Sequence, residues 1–420
     1  MDLEIVTVGG ELLLGLTVDT NAADIARALT PVGARVVRRA TVGDEREAIR
    51  AAVGEALART GAVMVTGGLG PTRDDVTKHA VASVFGMRIV VDEESLARLT
   101  ARWSGLGRAG PMPEANRTQA EIPEGATVLP NARGTAPGLW LEGPRGLAIL
   151  LPGVPREMRG LMAAEVVPRL RGRIEAAGTR AAVRSRVLRT TGVAESALAD
   201  LLRDAEDRYG TIAFAYYPSL EGVDLRLTER IAAGERQEGM LEDAVAHARA
   251  RLGAHCYAEG ETDLAAVLVA RLAALGARLA VAESCTGGLV GGRITDVPGA
   301  SAVFVGGVIA YANDVKEREL DVPAAVLAAH GAVSEQSVRA MARGAQRRFG
   351  AQAAVAVSGI AGPEGGTAEK PVGTIWIAAR FEERERVVHT RLPGDRHDIR
   401  HRAAQASLDV LRRLLAEDSR

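Results

Sequence analysis

The chain has 420 residues, 47% of them hydrophobic and 25% charged, and a formal net charge of −1. This composition is typical of a globular protein with two or three domains, and a net charge near zero gives no overall positive field to attract nucleic acid. No apolar run is long enough to span a membrane, and the sequence opens on a strand-like L-E-I-V-T-V without a cationic, apolar leader. We therefore expect a cytoplasmic protein that binds neither membranes nor nucleic acid directly.

The N-terminal part, up to about residue 168, alternates between β-rich and helical runs. The runs L-E-I-V-T-V, R-V-V-R-R-A-T-V and A-V-M-V-T are strand-like, and the amphipathic runs A-A-D-I-A-R-A-L and E-A-I-R-A-A-V-G-E-A-L lie between them. Such alternation predicts βαβ units and a largely parallel sheet.

A glycine-rich loop, V-T-G-G-L-G-P-T-R-D-D-V-T, follows the third of these strands. Gly67, Gly68 and Gly70 would let the backbone approach a phosphate, while Asp74 and Asp75 could hold a divalent cation at the start of the next helix. The alternative is a tight turn whose aspartates cap that helix. Phosphate could also be contacted by Thr72, Arg73 and Lys78. The last two of these could equally be surface charges.

Between residues 169 and 257 the pattern changes to a strand, a helix, two strands and a helix. This order is compatible with a small α+β module of the KH type. The nucleic-acid-binding version of that fold needs a G-x-x-G clamp between helices, which this segment lacks. A spacer or a dimerisation element is therefore favoured, and we expect a homodimer.

From residue 258 a third α/β pattern begins, and its first strand ends in A-E-S-C-T-G-G. Ser284, Cys285 and Thr286 are adjacent nucleophile candidates, and the free N–H groups around Gly287 and Gly288 suit an oxyanion or a phosphate. No histidine lies in the local motifs to activate the thiol, so Cys285 is favoured as a small buried residue. Ser284 is the preferred nucleophile, and the alternatives are Cys285, Thr286 or an activated water. In isolation Ser284 would be interpreted as a helix N-cap.

Two later motifs carry further candidates. The run V-I-A-Y-A-N-D-V-K brings Tyr311 and Lys316, which can activate a hydroxyl nucleophile. The run V-S-G-I-A-G-P-E-G-G places Ser358 and Gly359 at a strand end, as the second wall of a nucleotide pocket. Two arginines in G-D-R-H-D-I-R-H could grip a phosphate: Arg396 and Arg400.

These motifs, in this order, resemble the CinA family over essentially the whole chain. Agreement extends to V-G-G-E-L-L-L-G, A-R-G-T-A-P-G and L-P-G-V-P-R-E-M in the N-terminal part. The resemblance implies a molybdopterin-binding-like α/β sandwich acting as an ADP-ribose pyrophosphatase (1–168) and a KH-like linker or dimerisation module (169–257). It also implies a C-terminal α/β amidase domain (258–420) that deamidates nicotinamide mononucleotide (NMN).

The resemblance also implies roles for particular residues. Ser284 would be the nucleophile, with Tyr311 and Lys316 as the activating pair, and deamidation would need no cofactor. Substrate-binding residues would be Thr286, Gly287, Gly288, Ser358, Gly359, Arg396 and Arg400 for NMN, and Asn21, Gly67, Gly68, Gly70 and Thr72 for ADP-ribose. The pyrophosphatase would need a divalent metal ion, with Glu11, Asp74, Asp75 and Glu157 as ligands.

Two other functions fit parts of the sequence. The glycine-rich loop alone does not distinguish a pterin from ADP-ribose, so a molybdopterin-binding enzyme is one alternative. The competence and damage label of the family suggests the other, a non-enzymatic adaptor in DNA uptake or repair.

Overall fold

A computed structural model of the chain describes residues 1–105, 111–177, 182–231 and 239–417. The chain divides into two compact units, the first built on Met1–Arg184 and the second on Ser185–Glu229 and the chain from Gln237 onward. Within the described ranges, no helix is both long and apolar enough to cross a bilayer.

The first unit is an α/β domain around a six-stranded sheet. The strands of this unit are β1 Asp2–Val8, β2 Arg35–Val42, β3 Ala62–Thr66, β4 Ile89–Val91, β5 Glu121–Pro123, β6 Thr127–Leu129, β7 Gly138–Gly143 and β8 Gly146–Leu151. Strands β4 and β5 pair with each other in a separate two-stranded sheet. The α-helices of this unit are α1 Gly10–Leu13, α2 Asn21–Leu29, α3 Arg46–Thr60, α4 Thr77–Phe85, α5 Glu93–Gly105, α6 Glu114–Arg117, α7 Pro155–Leu161 and α8 Val167–Ala176.

The main sheet of this unit has the order β2-β1-β3-β8-β7-β6. The predicted parallel pairing is confirmed for β1, β2, β3 and β8, whereas β7 and β6 run antiparallel. The departure has a local cause, because only two residues separate β7 from β8 and so short a link joins antiparallel strands. Alternate side chains enter two cores, Leu3 and Ile5 on one face and Val6 and Val8 on the other.

Helix α8 belongs to the first unit. Its side chains Leu170 and Ile174 are buried in the same core as Leu3 and Ile5. The limit predicted at residue 168 therefore falls inside a helix of this unit.

The second unit begins with the small α+β module. It contains β9 Ala182–Thr190, α9 Glu195–Arg208, β10 Ile212–Pro218, β11 Val223–Ile231, α10 Met240–Leu252 and β12 Cys256–Glu259. The strand order is β10-β11-β9-β12, and β10 pairs antiparallel with β11. Tyr257 of β12 packs into the hydrophobic core of the domain that follows, which joins the module to that domain.

The C-terminal domain surrounds a five-stranded sheet of order β14-β13-β15-β16-β17. Its strands are β13 Leu279–Glu283, β14 Phe304–Ile309, β15 Ala353–Gly359, β16 Thr374–Phe381 and β17 Arg384–Arg391. Its helices are α11 Leu264–Ala274, α12 Leu289–Thr295, α13 Asn313–Leu320, α14 Ala324–His330, α15 Glu335–Phe349 and α16 Arg396–Ala416. Strand β13 lies parallel to both β14 and β15 and contributes to a core on each face.

Candidate active sites

Ser284 follows the buried central strand β13 directly. Its N–H donates to the carbonyl of Val357 on β15 at 3.0 Å, so the serine lies where neighbouring parallel strands end, the usual position of a ligand site in such sheets. Gly287 and Gly288 have φ values of 60° and 98°. Glycine adopts this region without strain, which lets the chain turn from Ser284 into α12 within five residues.

A buried carboxylate holds this turn in place. Glu283, the last residue of β13, is only 1% exposed. It accepts hydrogen bonds from the N–H groups of Gly288, Val290 and Gly291 at 2.9, 3.1 and 2.8 Å. It therefore takes the place of a cap at the start of α12 and fixes the backbone beside Ser284. The sequence analysis did not single out Glu283, although an acidic residue ending an apolar strand was a visible signal.

The side chain of Lys316 meets Ser284 in the interior. Lys316 on α13 is 1% exposed, and its Nζ lies 3.3 Å from Ser284 Oγ. The Nζ also donates to the carbonyls of Ala310 and Tyr311 at 2.8 and 3.1 Å. Burial lowers the pKa of this ammonium, because charge is disfavoured away from water. A lysine that loses its proton more readily can accept the proton of the serine hydroxyl.

Cys285 has the properties of a buried structural residue. It is 5% exposed, and burial raises the pKa of its thiol to about 12. A thiol with that pKa stays protonated at neutral pH and is a poor nucleophile. Of the adjacent candidates, Ser284 is thus the one with a base at hydrogen-bond distance.

The hydroxyl of Tyr311 is bonded to an arginine. Its side chain is 61% exposed, and its Oη accepts a hydrogen bond from Nη2 of Arg396 at 3.0 Å. The Nη1 of the same guanidinium donates to the carbonyl of Gly362 at 2.7 Å. The backbone carbonyl of Tyr311 accepts from Lys316 Nζ, so in this structure the residue contacts Lys316 through its backbone and Arg396 through its hydroxyl.

Two cavities adjoin Arg396. The first, here called the inner cavity, encloses about 220 Å³ and is lined by Ser284, Cys285, Tyr311, Asn313, Lys316, Ala332, Val333, Ser358, Gly359, Ala361 and Arg396. The second, the outer cavity, encloses about 600 Å³ and is lined by Ala361, Pro363, Val372, Gly394, Asp395, Arg396, His397 and Arg400. The inner cavity thus gathers most residues predicted for this site, and Arg396 lies at the boundary of both cavities.

The remaining predicted residues of this site shape the walls. The Oγ of Ser358 donates to the carbonyl of Ala332 at 2.8 Å. Arg400 donates to the carbonyls of Cys285 and Thr286 at 3.2 and 2.9 Å, and so it holds the loop after Ser284 while also lining the outer cavity. Thr286 is fully buried, and its Oγ1 has no hydrogen-bond partner within the described ranges.

The candidate site of the first unit lies where β1, β3 and β8 end side by side. Asn21, at the start of α2, donates through Nδ2 to Thr66 Oγ1 at 3.1 Å and to the carbonyl of Gly153 at 2.7 Å. Its Oδ1 is buried and unpartnered in the part of the chain that the structure describes. The Oγ1 of Thr77, at the start of α4, is likewise buried and has no hydrogen-bond partner among the described residues. Buried polar groups without partners are uncommon, and a functional role or a bound water or ion is the usual explanation.

The glycine-rich loop packs tightly at this edge of the sheet. A side chain at Gly67 would place its Cβ 2.2 Å from the carbonyl oxygen of Val8, and one at Gly68 would place it 2.2 Å from Thr77 Oγ1. Asp75 folds the loop, since its carboxylate accepts from the N–H groups of Gly70 and Thr72 at 2.7 and 2.8 Å. The Thr72 hydroxyl donates to it as well.

The four predicted metal ligands have different surroundings. Both oxygens of Asp75 are engaged within its own loop, whereas Asp74 and Glu11 are exposed. Glu157 accepts from Asn131 Nδ2 at 2.6 Å. Among the described residues, no group of three or more Asp, Glu, His or Cys side chains is placed to hold one metal ion. The structure therefore does not gather the four carboxylates into a cage.

Lys78, expected from the sequence either to contact phosphate or to be a surface charge, is buried. It is 3% exposed, and its Nζ donates to the carbonyl of Thr118. Burial lowers the pKa of this lysine to about 8. Arg73 is exposed.

The fold and the Ser284 site define a protein with a molybdopterin-binding-like α/β domain, a KH-like module and a C-terminal α/β domain that carries a serine–lysine pair. Three family models match in this order: "Probable molybdopterin binding domain" over residues 4–172, "Damage-inducible protein CinA KH domain" over 185–258 and "CinA C-terminal domain" over 261–415.

Relatives agree over the full length. A CinA-like protein of Gemmatimonas aurantiaca is 53% identical over 100% of this chain and 97% of its own. A CinA-like protein of Frankia casuarinae is 42% identical over 99% of this chain and 96% of its own. The chain belongs to the CinA family, as its motifs predicted. Among solved structures, the competence/damage inducible protein CihA of Agrobacterium tumefaciens is 40% identical over 36% of this chain and 93% of its own, with a TM-score of 0.36.

Proposed function

We propose that the C-terminal domain hydrolyses the carboxamide of NMN to nicotinate mononucleotide and ammonia. The observation that carries the proposal is the buried Lys316 Nζ at 3.3 Å from Ser284 Oγ. Amide hydrolysis needs a nucleophile, a base to deprotonate it and an acid for the leaving amine. A lysine of lowered pKa beside a serine can supply the last two functions in turn.

In the proposed mechanism, neutral Lys316 takes the hydroxyl proton as Ser284 Oγ attacks the carboxamide carbon. The resulting ammonium returns that proton to the nitrogen, the C–N bond breaks, and ammonia leaves an acyl ester on Ser284. Water, deprotonated by Lys316, then attacks the ester carbonyl. Its addition releases the nicotinate and restores the serine hydroxyl.

The loop after Ser284 can supply donors for the oxyanion. The N–H groups of Ser284, Gly287 and Gly288 have oxygen acceptors. In the described part of the chain, no oxygen acceptor takes the N–H groups of Cys285 and Thr286, which face the Cys285 sulfur, a weak acceptor that an oxyanion can displace. We assign these two donors to the oxyanion, whose stabilisation is commonly the largest single contribution to such a rate. Arg400 supports their orientation by binding the carbonyls of the same two residues.

The two cavities suit the two ends of NMN. The inner cavity contains Ser284 and has room for the pyridine ring, while the outer cavity presents Arg396 and Arg400 to a phosphate. Guanidinium groups favour phosphate, which they can bind through two parallel hydrogen bonds. This distribution of charge supports a phosphorylated nucleotide over a free amide as the substrate.

For the first unit we propose metal-dependent hydrolysis of ADP-ribose to AMP and ribose 5-phosphate. The exposed Asp74 carboxylate would hold a hard cation that keeps several waters and takes its other ligands from phosphates, and the unpartnered Asn21 Oδ1 would accept a hydrogen bond from the ligand. When bound, such an ion would neutralise charge on the bridging phosphates. Asp75 would act by folding the loop, and Asn21 by orienting the ligand.

Both proposals are tested by assaying the purified full-length chain with NMN and with ADP-ribose, each with Mg²⁺ and with a chelator. We expect ammonia from NMN in both conditions and AMP from ADP-ribose only with Mg²⁺. Metal dependence of the NMN reaction would contradict the serine mechanism. Loss of both activities together with tight pterin binding would favour the molybdopterin-binding alternative.

A further inference from the structure

A pair of histidines lies at the wall of the outer cavity. His397 and His401 are one turn apart on α16, and their ring centroids are 4.2 Å apart with a tilt of 41° between the rings. His397 is exposed and lines the outer cavity beside Arg396 and Arg400. His401 is half-buried and packs against the His397 ring. The proposed mechanism of NMN hydrolysis uses neither imidazole.

Charged groups of both signs surround the two rings. They come from two helices and are Asp395, Arg396, Asp398 and Arg400 of α16 and Arg293 of α12. Arg293 is paired with Asp263 at 2.6 Å, and the side chain of Asp395 accepts from the N–H of Asp398. The loop across the outer cavity contributes uncharged residues, namely Ala361, Pro363 and Val372. Of the described residues that line this cavity, His397 is thus the one whose side chain ordinarily titrates near neutral pH.

The two arginines of the wall are already oriented by the protein. Arg396 donates to the carbonyl of Gly362 at 2.7 Å, and Arg400 donates to that of Thr286 at 2.9 Å. A phosphate monoester carries between one and a half and two negative charges at neutral pH, and its three terminal oxygens accept hydrogen bonds. A protonated imidazole is a cation with an N–H on each ring nitrogen. His397 can therefore add a third cationic donor to the two guanidinium groups.

His401 is held in its neutral form beside this ring. Burial lowers the pKa of His401, and the adjacent His397 ring contributes to that shift. The guanidinium groups of Arg400 and Arg293 lower it further, while Asp398 opposes them. Two imidazoles in contact take up their protons in separate steps, since like charges disfavour each other. A bound anion in the outer cavity would therefore draw the first proton to His397, the ring that faces it.

We propose that His397 is a third phosphate ligand of the outer cavity and takes up a proton from the solvent when a nucleoside 5′-monophosphate binds. The proposal rests on the proposed hydrolysis of NMN for the identity of that nucleotide. Because the bound dianion favours the protonated ring, the contribution of His397 to affinity is present at low pH and disappears as the ring loses its proton at high pH. His401 acts as a positioning residue that holds the ring at the wall.

The test is isothermal titration calorimetry of the full-length chain with nicotinate mononucleotide, which carries the phosphate and cannot be deamidated. Titrations at about pH 7.5 in two buffers of different ionisation enthalpy give the number of protons taken up on binding. His397→Gln removes the titrating ring, and His401→Gln removes its neighbour. His389→Gln is the matched control, because His389 is exposed on β17 of the same domain and stacks on Trp376. Circular dichroism verifies that each variant is folded.

We expect wild type, His401→Gln and His389→Gln to take up a fraction of a proton on binding, and His397→Gln to take up none. Wild type should bind about ten-fold more tightly than His397→Gln at about pH 6, and the two should bind equally at about pH 9. No proton uptake by wild type, or uptake that persists in folded His397→Gln and is lost in His401→Gln, would overturn the inference. If wild type releases no ammonia from NMN but shows the expected pattern with nicotinate mononucleotide, the role of His397 stands and the proposed deamidation is wrong.

Discussion

Replacing Tyr311 by Phe separates two roles for this residue in NMN deamidation. If its hydroxyl activates Ser284, its loss should lower kcat by about 10²–10⁴-fold, the usual contribution of acid–base catalysis. The structure places the hydroxyl on Arg396 instead, at 3.0 Å. We therefore expect Tyr311→Phe to affect substrate binding and to leave kcat within a few-fold of wild type.

The expected rise in KM for NMN follows from the contacts of the Tyr311 hydroxyl and of Arg396. A hydrogen bond to a charged group contributes roughly 1.5–3 kcal/mol when sheltered. Tyr311 is 61% exposed and Arg396 keeps its bond to Gly362, so water offsets much of the loss. A cost of about 0.5–1.5 kcal/mol corresponds to a rise in KM of about 2- to 12-fold.

The assay is steady-state ammonia release from NMN, with Tyr217→Phe as control because Tyr217 is similarly exposed, at 52%, on the module. In an Arg396→Ala background, Tyr311→Phe should have little further effect, since the two residues act as one unit. A hundred-fold loss of kcat at unchanged KM would refute this account. So would an undiminished effect of Tyr311→Phe in the Arg396→Ala background.

Three further predictions concern Lys316, Cys285 and the aspartate loop. Burial lowers the pKa of Lys316 below its ordinary 10.5, so deamidation should increase with pH through the lowered pKa. Because the unfolded chain binds more protons in the window from that lowered pKa up to 10.5, wild-type stability should rise with pH there. Lys316→Met should abolish turnover and remove this rise in Tm. If the Tm of Lys316→Met varied with pH as that of wild type does, the lowered pKa of Lys316 would be contradicted. Cys285→Ala should keep most of the deamidase rate, because a thiol of pKa about 12 stays protonated. Ser284→Ala should have no deamidase activity. The reverse result would make Cys285 the nucleophile. Asp74→Asn should abolish ADP-ribose cleavage at unchanged Tm. Asp75→Asn should abolish it and also lower the Tm of the first unit, because Asp75 holds Gly70 and Thr72. Both variants should deamidate NMN normally, and loss of that activity would show that the sites are not independent.

Much of the fold could be predicted because the alternation of strand and helix patterns fixes parallel βαβ units. The antiparallel strands β6 and β7 were not predicted, since short Gly- and Pro-rich runs carry little periodic signal. Ser284 and Lys316 could be found from the sequence because both follow strands of one sheet, whose ends meet at the same edge.

Other features depend on contacts that no local pattern specifies. The partner of Tyr311 is Arg396, 85 positions away, so only the tertiary fold decides what the hydroxyl binds. The burial of Lys78 was missed because a lysine at the start of a helix usually faces water. Glu283 was missed because its role, capping a helix from the preceding strand, requires the turn at Gly287 and Gly288 to be known.

The most direct test of the central claim is to look for the acyl ester on Ser284. The full-length chain is mixed with NMN in the presence of a chelator, quenched in acid within the first turnovers, digested and examined by mass spectrometry. The account predicts a nicotinoyl nucleotide adduct on the peptide that contains Ser284, formed in Cys285→Ala and not in Ser284→Ala. An adduct on Cys285, or ammonia release by Ser284→Ala at the wild-type rate, would contradict it.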